Sequence, residues 1–271
     1  MEGVGYKTMK YSLEHEKYLN NIRKKKIWII ISQWGVLIVL LLSWELMALT
    51  GVIDAFIFSS PSRIISTLFT LWTDSNLLLH IGVTLYETVA GFLIATAVGT
   101  LVAIGLWWCE NLRRIFEPYL VILNSLPKVA LGPIIIIWAG AGTKAIITMA
   151  VLICIIITTI NMLNGFVEVD KDKILLMKTL GANKLQVLTK LILPANVGTL
   201  LATLKINVGL SWVGSIMGEY LVSKAGLGYL IVYGGQIFKL DLVMASTVVL
   251  CLLAGLMYYL VALLEKKLNK K

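Results

Sequence analysis

The sequence predicts an all-α membrane protein with six transmembrane helices. Apolar residues make up 58% of the 271-residue chain, charged residues only 14%, and the mean hydropathy is +0.87. These values lie far outside the range of soluble domains. A membrane-spanning helix needs about 20 mostly apolar residues, and the apolar runs leave room for roughly six such helices.

The net charge of +9 comes from 24 lysine and arginine residues against 15 acidic ones. In a soluble protein this balance would suggest nucleic acid as a partner. Here the basic residues lie in short loops and tails, where they orient the spans and contact anionic lipid, so no nucleic acid is expected. The three cysteines are scattered and predict neither a disulfide framework nor a metal site.

The first span follows a polar segment, residues 1–26, which ends in four consecutive basic residues. The apolar run Ile27–Leu49 is too long for the core of a signal peptide, so we interpret it as an uncleaved span with its N-terminus in the cytoplasm. A short external segment follows. It contains four apolar residues that predict one face of an interfacial helix: Ile64, Ile65, Leu68 and Leu71.

The second span, from about Ile81 to Trp108, has small residues on one face, because they recur at a spacing of four. This pattern lets two helix backbones approach closely and predicts tight packing on another span. The residues are Gly91, Ala95, Gly99 and Ala103.

The third apolar stretch, Tyr119–Trp138, is irregular because Pro127 and Pro133 remove backbone donors and Lys128 lies between them. Broken backbone at membrane depth is tolerated only where it is buried in protein or lines a cavity. These three residues are therefore candidates for a pathway wall.

The longest polar interruption, residues 165–194, predicts a hairpin of two short helices broken at Gly181. Gly181 is suited to the left-handed conformation that ends a helix, and Asn183 is suited to cap the next helix with Gln186. An apolar stripe of Leu185, Leu188 and Leu191 or Ile192 recurs at helical spacing. An amphipathic hairpin of this kind is a docking surface.

The remaining spans are predicted at Ala145–Met162, Val197–Val222 and Leu242–Leu264, and a tail follows at 265–271. Residues 27–264 then form one transmembrane domain that includes the hairpin. Basic residues crowd both termini, the Arg113 loop and the hairpin. The positive-inside rule therefore predicts that both termini and the hairpin are cytoplasmic.

Polar side chains inside the predicted spans are candidate pathway residues. Lys128 and Lys205 each cost about 2.5 to 3.5 kcal/mol in hydrocarbon, so they should face protein or water. A structural role and a pathway role remain open for both lysines. Ser211 and Glu219 lie in the fifth span, where a plain interfacial carboxylate is the favoured interpretation of Glu219.

The hairpin resembles the cytoplasmic signature of binding-protein-dependent ABC importer permeases, in which a glycine is followed after nine residues by an aliphatic residue, any residue, leucine and proline. Gly181 and Leu191–Pro194 match that spacing. Further stretches resemble the nitrate, aliphatic sulfonate and taurine branch of the family. They are Ser60–Arg63, Leu126–Pro133, Lys178–Ala182, Gly218–Leu221 and Gly226–Leu230.

This resemblance implies the fold of type I ABC importer permeases and a multi-pass protein of the inner or plasma membrane. It also implies two ABC ATPase subunits, a second permease copy forming a homodimer, and an extracytoplasmic solute-binding protein. The hairpin would dock into the ATPase through residues of its two helices and their ends. These are Leu175, Leu176, Met177, Gly181, Ala182, Leu185, Leu188 and Pro194.

Two positions depart from the family pattern. Leu175, Leu176 and Met177 stand where relatives have an acidic residue and two alanines. Glu87 stands where many relatives of this branch have arginine, which weakens the case for an anionic solute if Glu87 lines the pathway. A sulfonate, taurine or nitrate-like solute is expected, with a heteroaromatic vitamin precursor such as a pyrimidine as the alternative.

The sequence has no phosphate-binding glycine loop ending in Gly-Lys-Ser/Thr, so the chain is expected to bind no cofactor itself. ATP and magnesium would bind to a separate ATPase. No arrangement of residues predicts catalysis within this chain. The competing class is an ion-coupled secondary transporter that uses Lys128, Lys205 and Glu219.

Overall fold

The computed structural model describes residues 13–74 and 77–268, and these residues form helices joined by turns, with no strand among them. The chain divides into two units, residues 1–63 and 64–271. Within the described residues, five helices are long and apolar enough to cross a membrane, or six if one bent pair counts as a single span. The predicted all-α membrane fold is confirmed.

The first unit contains helices α1 (Leu13–Leu49) and α2 (Ala55–Phe58) and the first turn of α3 (Pro61–Asp74). Helix α1 begins inside the predicted polar segment, of which residues 1–12 lie outside the described residues. The carboxylate of Glu45 accepts hydrogen bonds from the backbone N–H of Ser62 at 3.0 Å and from its hydroxyl at 2.7 Å. These bonds hold the end of α1 to the start of α3.

Helix α3 has a narrower buried face than the sequence predicts. Ile64 and Leu71 are buried and Leu68 is half-buried, but Ile65 is 55% exposed. Residues 64, 68 and 71 share one side of a helix, whereas residue 65 is turned by about 100° from residue 64. Hydrophobicity alone does not distinguish these two directions.

Three long helices form the centre of the second unit: α4 (Leu77–Trp108), α7 (Thr143–Glu168) and α11 (Val197–Val222). We call their mutual contact the central seam. A Cβ added to Gly91 would lie 2.6 Å from the Cβ of Ala150, and one added to Gly99 would lie 2.7 Å from the Cβ of Thr158. The predicted close packing of the small-residue face is therefore confirmed.

Helix α11 approaches α7 just as closely. A Cβ on Gly214 would lie 2.5 Å from the Cα of Ala150, and one on Gly218 would lie 2.9 Å from the Cα of Ile146. Ala150 thus lies between a glycine of α4 and a glycine of α11. Backbones packed this closely gain van der Waals contact, which replaces the hydrophobic effect as a cause of helix association in lipid.

The predicted irregular stretch is broken. Helix α5 (Glu110–Ser125) is followed by a 3₁₀ turn (Lys128–Leu131) and helix α6 (Gly132–Ala139), and the two parts are bent by 88°. Pro127 lies directly before the 3₁₀ turn, and Pro133 lies in the first turn of α6, where a missing N–H costs nothing.

The predicted hairpin begins later than position 165, since α7 continues to Glu168. Gly165 belongs to α7, where a Cβ would lie 2.3 Å from Oδ1 of Asn196. The hairpin itself comprises α8 (Lys171–Thr179), α9 (Lys184–Val187), a π turn (Leu188–Ile192) and α10 (Leu193–Ala195).

The last two helices are α12 (Leu227–Gln236) and α13 (Leu240–Leu268), which pack on each other and on α11. Residues 269–271 of the predicted tail lie outside the described residues. An apolar cluster joins α4, α11 and α13 and contains Phe92, Val208, Trp212, Met257 and Val261.

Candidate functional site

The break in the hairpin has the geometry that the sequence predicts. Gly181 has a φ of 79°, a left-handed conformation that glycine adopts without steric cost. Its N–H donates to the carbonyl of Lys178 at 3.0 Å, and the N–H of Ala182 donates to the carbonyl of Met177 at 3.0 Å. This pair of bonds is a Schellman motif, which ends α8 at a defined angle.

The start of α9 is closed by the predicted capping box. Oδ1 of Asn183 accepts from the backbone N–H of Gln186 at 2.8 Å, and Oε1 of Gln186 accepts from the backbone N–H of Asn183 at 2.8 Å. The four residues between the two helices are therefore held on both sides, so the hairpin has a rigid tip.

One side of the hairpin packs on the body of the protein. Val187, Leu188 and Ile192 are buried against Phe166 of α7 and Leu106 of α4, in a cluster that also contains Met162 and Leu163. The prediction that Leu188 belongs to the docking face is wrong in this structure, because it is only 5% exposed. Helical spacing identifies an apolar stripe, but the position of Phe166 decides that the stripe faces inward.

The outward side carries four exposed leucines, which we call the hairpin leucines. They are Leu175 (59% exposed), Leu176 (60%), Leu180 (78%) and Leu185 (57%). Met177 and Ala182 are half-buried against the same cluster as Leu188, and Pro194 is exposed at α10. Three of the hairpin leucines precede Gly181 and one follows it. Leu180 was missed by sequence reasoning, although it directly precedes the predicted break.

The side chain of Lys184 also holds the hairpin to the end of α4. Nζ of Lys184 donates a hydrogen bond to the carbonyl of Trp108 and lies 5.3 Å from the centre of the Trp108 ring. At the other end, Asp170 caps α8 by accepting from the N–H of Asp172 at 2.9 Å. Asp170 thus has a local structural role at the start of α8.

The two candidate lysines have partners close to them. Nζ of Lys128 donates to the carbonyl of Asn124 at 3.1 Å, across the break between α5 and α6. Lys205 forms an ion pair with Glu265 of α13. Ser211 is buried and donates to the carbonyl of Val208 at 2.9 Å.

Glu219 is not an interfacial carboxylate, since it is only 2% exposed, and Glu87 is equally buried at 1%. Oε2 of Glu219 accepts from the N–H of Gly228 at 2.6 Å. The first turn of α12, with the loop before it, therefore folds back onto α11. Sequence reasoning placed Glu219 near a span end but did not identify this loop as its partner.

Two side chains of α4 hold the same loop. Nδ1 of His80 accepts from the N–H of Gly226 at 3.0 Å, and Oγ1 of Thr84 accepts from the N–H of Leu227 at 2.8 Å. Three consecutive N–H groups thus meet three side-chain acceptors. A signal for this contact was available, because residues 80, 84, 87 and 88 form a polar stripe on an otherwise apolar helix.

Polar contacts continue along the central seam. The hydroxyls of Thr88 and Ser215 lie 2.6 Å apart. Nδ2 of Asn207 donates to Oγ1 of Thr158 at 2.7 Å and to Oγ1 of Thr96 at 3.1 Å. In lipid such hydrogen bonds join helices, because the polar side chains would otherwise have no hydrogen-bond partner. No group of three or more histidine, cysteine or acidic residues in the described part of the chain is arranged to hold a metal ion.

Comparison with known proteins identifies a matching family. Residues 95–270 match the family described as binding-protein-dependent transport system inner membrane component. That range begins within α4, contains α5 to α13, and includes the whole hairpin.

Two curated relatives cover most of the chain. A putative aliphatic sulfonates transport permease protein of Bacillus subtilis is 27% identical over 86% of this chain and 84% of its own length. A formylaminopyrimidine transport permease protein of Halalkalibacterium halodurans is 28% identical over 71% of this chain and 76% of its own length.

A solved structure has the same fold. One chain of a methionine ABC transporter in an inward-facing conformation aligns with a TM-score of 0.65 at 19% identity. The alignment covers 72% of this chain and 98% of the other.

Proposed function

Because the chain belongs to the family of binding-protein-dependent transport system inner membrane components, as its motifs predict, we propose that it forms the translocation pathway of an ATP-driven importer. Members of this family are permease subunits of ABC transporters, and ATP hydrolysis belongs to a separate subunit.

The observation that supports ATP-driven coupling is the two-sided hairpin. Its inward side is anchored by Leu188 and Ile192, while the four hairpin leucines are exposed on its outward side. The hairpin protrudes from the polar end of α7 and not from the middle of a span. Apolar side chains concentrated at such a place favour a protein partner over water. We assign the hairpin leucines to the contact with an ABC ATPase.

The test is a double substitution, Leu176→Glu with Leu180→Glu, in the assembled transporter. We expect at least a tenfold loss of ATPase co-purification, because each carboxylate would have to be desolvated in the contact. The folding of the permease should change little, since both side chains are exposed. Co-purification from membranes and thermal unfolding of the purified permease measure the two effects.

Leu268→Glu is the matched control, because it places the same charge on an exposed leucine at the end of α13. This variant should keep the ATPase. Unchanged association of the hairpin double variant, in protein of normal thermal stability, would contradict the assignment.

The proposed assembly contains two ATPase subunits, two copies of this permease and an extracytoplasmic solute-binding protein. We propose that both termini and the hairpin are cytoplasmic, with residues 27–264 forming the membrane domain. The basic residues near Arg113 and in the hairpin support this orientation. Fusions at residues 53 and 170 to a reporter that is active only in the cytoplasm test this orientation. The fusion at residue 170 should be active, and the fusion at residue 53 should be inactive.

We place one wall of the pathway at the break between α5 and α6, where Pro127, Lys128 and Pro133 interrupt the helix. A bend of 88° is the kind of irregularity that membrane proteins place beside a cavity. Lys205 and Ser211 remain weaker candidates, since each already has a partner within the chain.

Two solute classes are supported by relatives. The sulfonate permease favours a small sulfonate, within the proposed class of sulfonate, taurine or nitrate-like solutes, and the formylaminopyrimidine permease favours a small heteroaromatic one. Two carboxylates are buried together, and no described cation pairs with them, which favours a solute that is not anionic if it passes near Glu87. Mass spectrometry of the ligand that co-purifies with the solute-binding protein decides between the classes.

The ion-coupled alternative receives no support from the geometry. Lys205 and Glu219 are 14 residues apart on α11, which corresponds to about 21 Å along the helix. Lys205 pairs instead with Glu265. One coupling site cannot contain both groups.

A further inference from the structure

Two buried carboxyl groups meet between α4 and α11. Glu87 and Glu219 are 1% and 2% exposed, and they are close enough to interact electrostatically. Both side chains lie beside the loop that precedes α12. The family match and the hairpin do not explain why this chain places two acids together there.

The pair has too few hydrogen-bond donors for its four carboxyl oxygens. Oε2 of Glu219 has one donor, the N–H of Gly228. The other three carboxyl oxygens, Oε1 of Glu219 and both oxygens of Glu87, are buried without a partner among the described residues. The hydroxyl of Thr143 of α7 lies beside Glu87 and that of Thr84 beside Glu219, but neither has the geometry of a full hydrogen bond to these oxygens. Two ionised carboxylates in this position would be unpaired buried charges.

No described cation neutralises the pair. Titratable groups on the elements around it include His80 on α4, Tyr220 on α11, Lys144 on α7 and Lys224 in the loop before α12. Nδ1 of His80 is occupied by the N–H of Gly226. Lys144 is exposed, and Lys224 lies on the rim of the neighbouring cleft. None of the four forms an ion pair with Glu87 or Glu219 in the described chain.

We propose that Glu87 and Glu219 bind one proton between them. The backbone donor at Gly228 stabilises negative charge on Glu219, so the proton belongs with Glu87. The O–H of Glu87 then donates to Oε1 of Glu219, and this single bond satisfies an oxygen of each residue. The pair carries one negative charge instead of two, which is the arrangement that adjacent carboxyl groups adopt.

The proton joins α4 to α11 and, through Glu219, to the residues around the start of α12. A Cβ on Gly226 would lie 2.4 Å from the carboxylate of Glu219, and one on Gly228 would lie 2.7 Å from it, so the loop backbone fits closely around this side chain. Loss of the proton leaves two negative charges in contact. Their repulsion pushes α4 away from α11, so the pair is a pH-sensitive latch between these two helices.

The latch has a route to solvent. A cleft of about 360 Å³ reaches Glu87 and is lined by Val83, Thr143, Ser223 and Lys224, among others. Protons can therefore exchange without unfolding of the central seam. The stability that the latch contributes is present at acidic pH, where the pair holds its proton, and is lost as the pH rises and the proton leaves.

Infrared spectroscopy of the full-length chain in lipid nanodiscs tests the proposal directly. A protonated carboxyl group has a C=O stretching band that an ionised one lacks. We expect this band in the wild type at neutral pH, its loss in Glu87→Gln, and its retention in Glu117→Gln, which removes an exposed carboxylate of α5. The side-chain amide that Glu87→Gln introduces would donate to Glu219, which stays ionised.

Thermal unfolding gives a second readout. Wild-type stability should fall as the pH is raised above neutral, and Glu87→Gln should show no such fall. A wild type without the band at neutral pH overturns the proposal, as does a band that persists in Glu87→Gln. A third outcome would also overturn the proposal: the band is absent, and thermal stability depends on sodium ion concentration and not on pH. Glu87 and Glu219 would then bind a cation and not a proton.

If Glu87→Gln does not fold, titration of the wild-type band still decides the question. A band that is present at neutral pH and disappears only above it supports the shared proton, whereas a wild type that lacks the band at neutral pH contradicts it. Both measurements use the permease alone, so their outcome is independent of ATPase docking.

Discussion

The central seam and the hairpin both depend on glycine, but for opposite reasons. In the seam, Gly214 has ordinary helical geometry, and a Cβ there would lie 2.5 Å from the Cα of Ala150. In the hairpin, Gly181 has open space around it, with nothing within 4 Å, but its φ of 79° excludes most other residues. The seam needs the absence of a side chain, whereas the hairpin needs a backbone conformation.

The two regions also differ in where their apolar side chains point. The seam buries small residues and polar side chains that bond to one another, such as Thr88 and Ser215. The hairpin buries Leu188 and Ile192 but leaves its four named leucines exposed. The seam thus packs within one chain, while the outer face of the hairpin is suited to contact another protein.

The largest effect is expected from a side chain added to the seam. Gly214→Val would place a β-branched residue against the backbone of α7, so α7 and α11 would have to separate. We expect a loss of about 3 kcal/mol, the upper part of the range for overpacked sites. Thermal unfolding of the purified permease measures it.

Gly209→Val is the control, because Gly209 lies on the same helix with nothing within 4 Å of its added Cβ. It should cost far less than Gly214→Val. Equal losses of stability in the two variants would show that the glycines of α11 matter for backbone conformation and not for close contact. The seam would then use glycine for the same reason as the hairpin.

A smaller effect on stability, with a large effect on assembly, is expected at the hairpin. Gly181→Trp must adopt a left-handed conformation at a cost of about 1 kcal/mol, and its indole would occupy the contact surface between the hairpin leucines. ATPase co-purification should be lost. Gly181→Asn tolerates the same φ without that bulk, so it should retain the ATPase. Full co-purification of the tryptophan variant would refute the placement of Gly181 at the contact.

The smallest effect is expected from removing one polar contact of the seam. Asn207→Ala deletes the hydrogen bonds to Thr158 and Thr96 and should destabilise the permease by about 1 kcal/mol, since hydrogen bonds between membrane helices are worth little more. Asn124→Ala, at an exposed asparagine of α5, should be neutral in the same thermal unfolding experiment. A larger loss of stability in Asn207→Ala than in Gly214→Val would show that hydrogen bonds stabilise the seam more than close backbone packing does.

Much of the fold follows from patterns that are local in sequence. The spacing of Gly91 and Gly99 predicts close packing, and Asn183 with Gln186 predicts a helix start. Each signal arises from side chains within a few turns of one helix, so it survives without knowledge of neighbours. The long apolar runs work in the same way, because membrane thickness sets their length.

The contacts that determine the candidate sites are non-local. Lys205 pairs with Glu265 on another helix, and Glu87 meets Glu219 in the same way. Each single residue is compatible with a pathway, an ion pair or an interface. Only helix packing selects among these alternatives, since burial and partner are properties of the assembled fold.

The sequence by itself determined that this is a helical membrane protein, that its third stretch is broken, and that a capped hairpin turns at Gly181. Length, periodicity and backbone preference suffice for those features. The tertiary structure alone decided that Leu188 faces inward while Leu180 faces outward, and that Glu87 and Glu219 are buried together. The physical reason is that a stripe on a helix has no inside until another helix covers it, and a carboxylate has no partner until the fold brings one within reach.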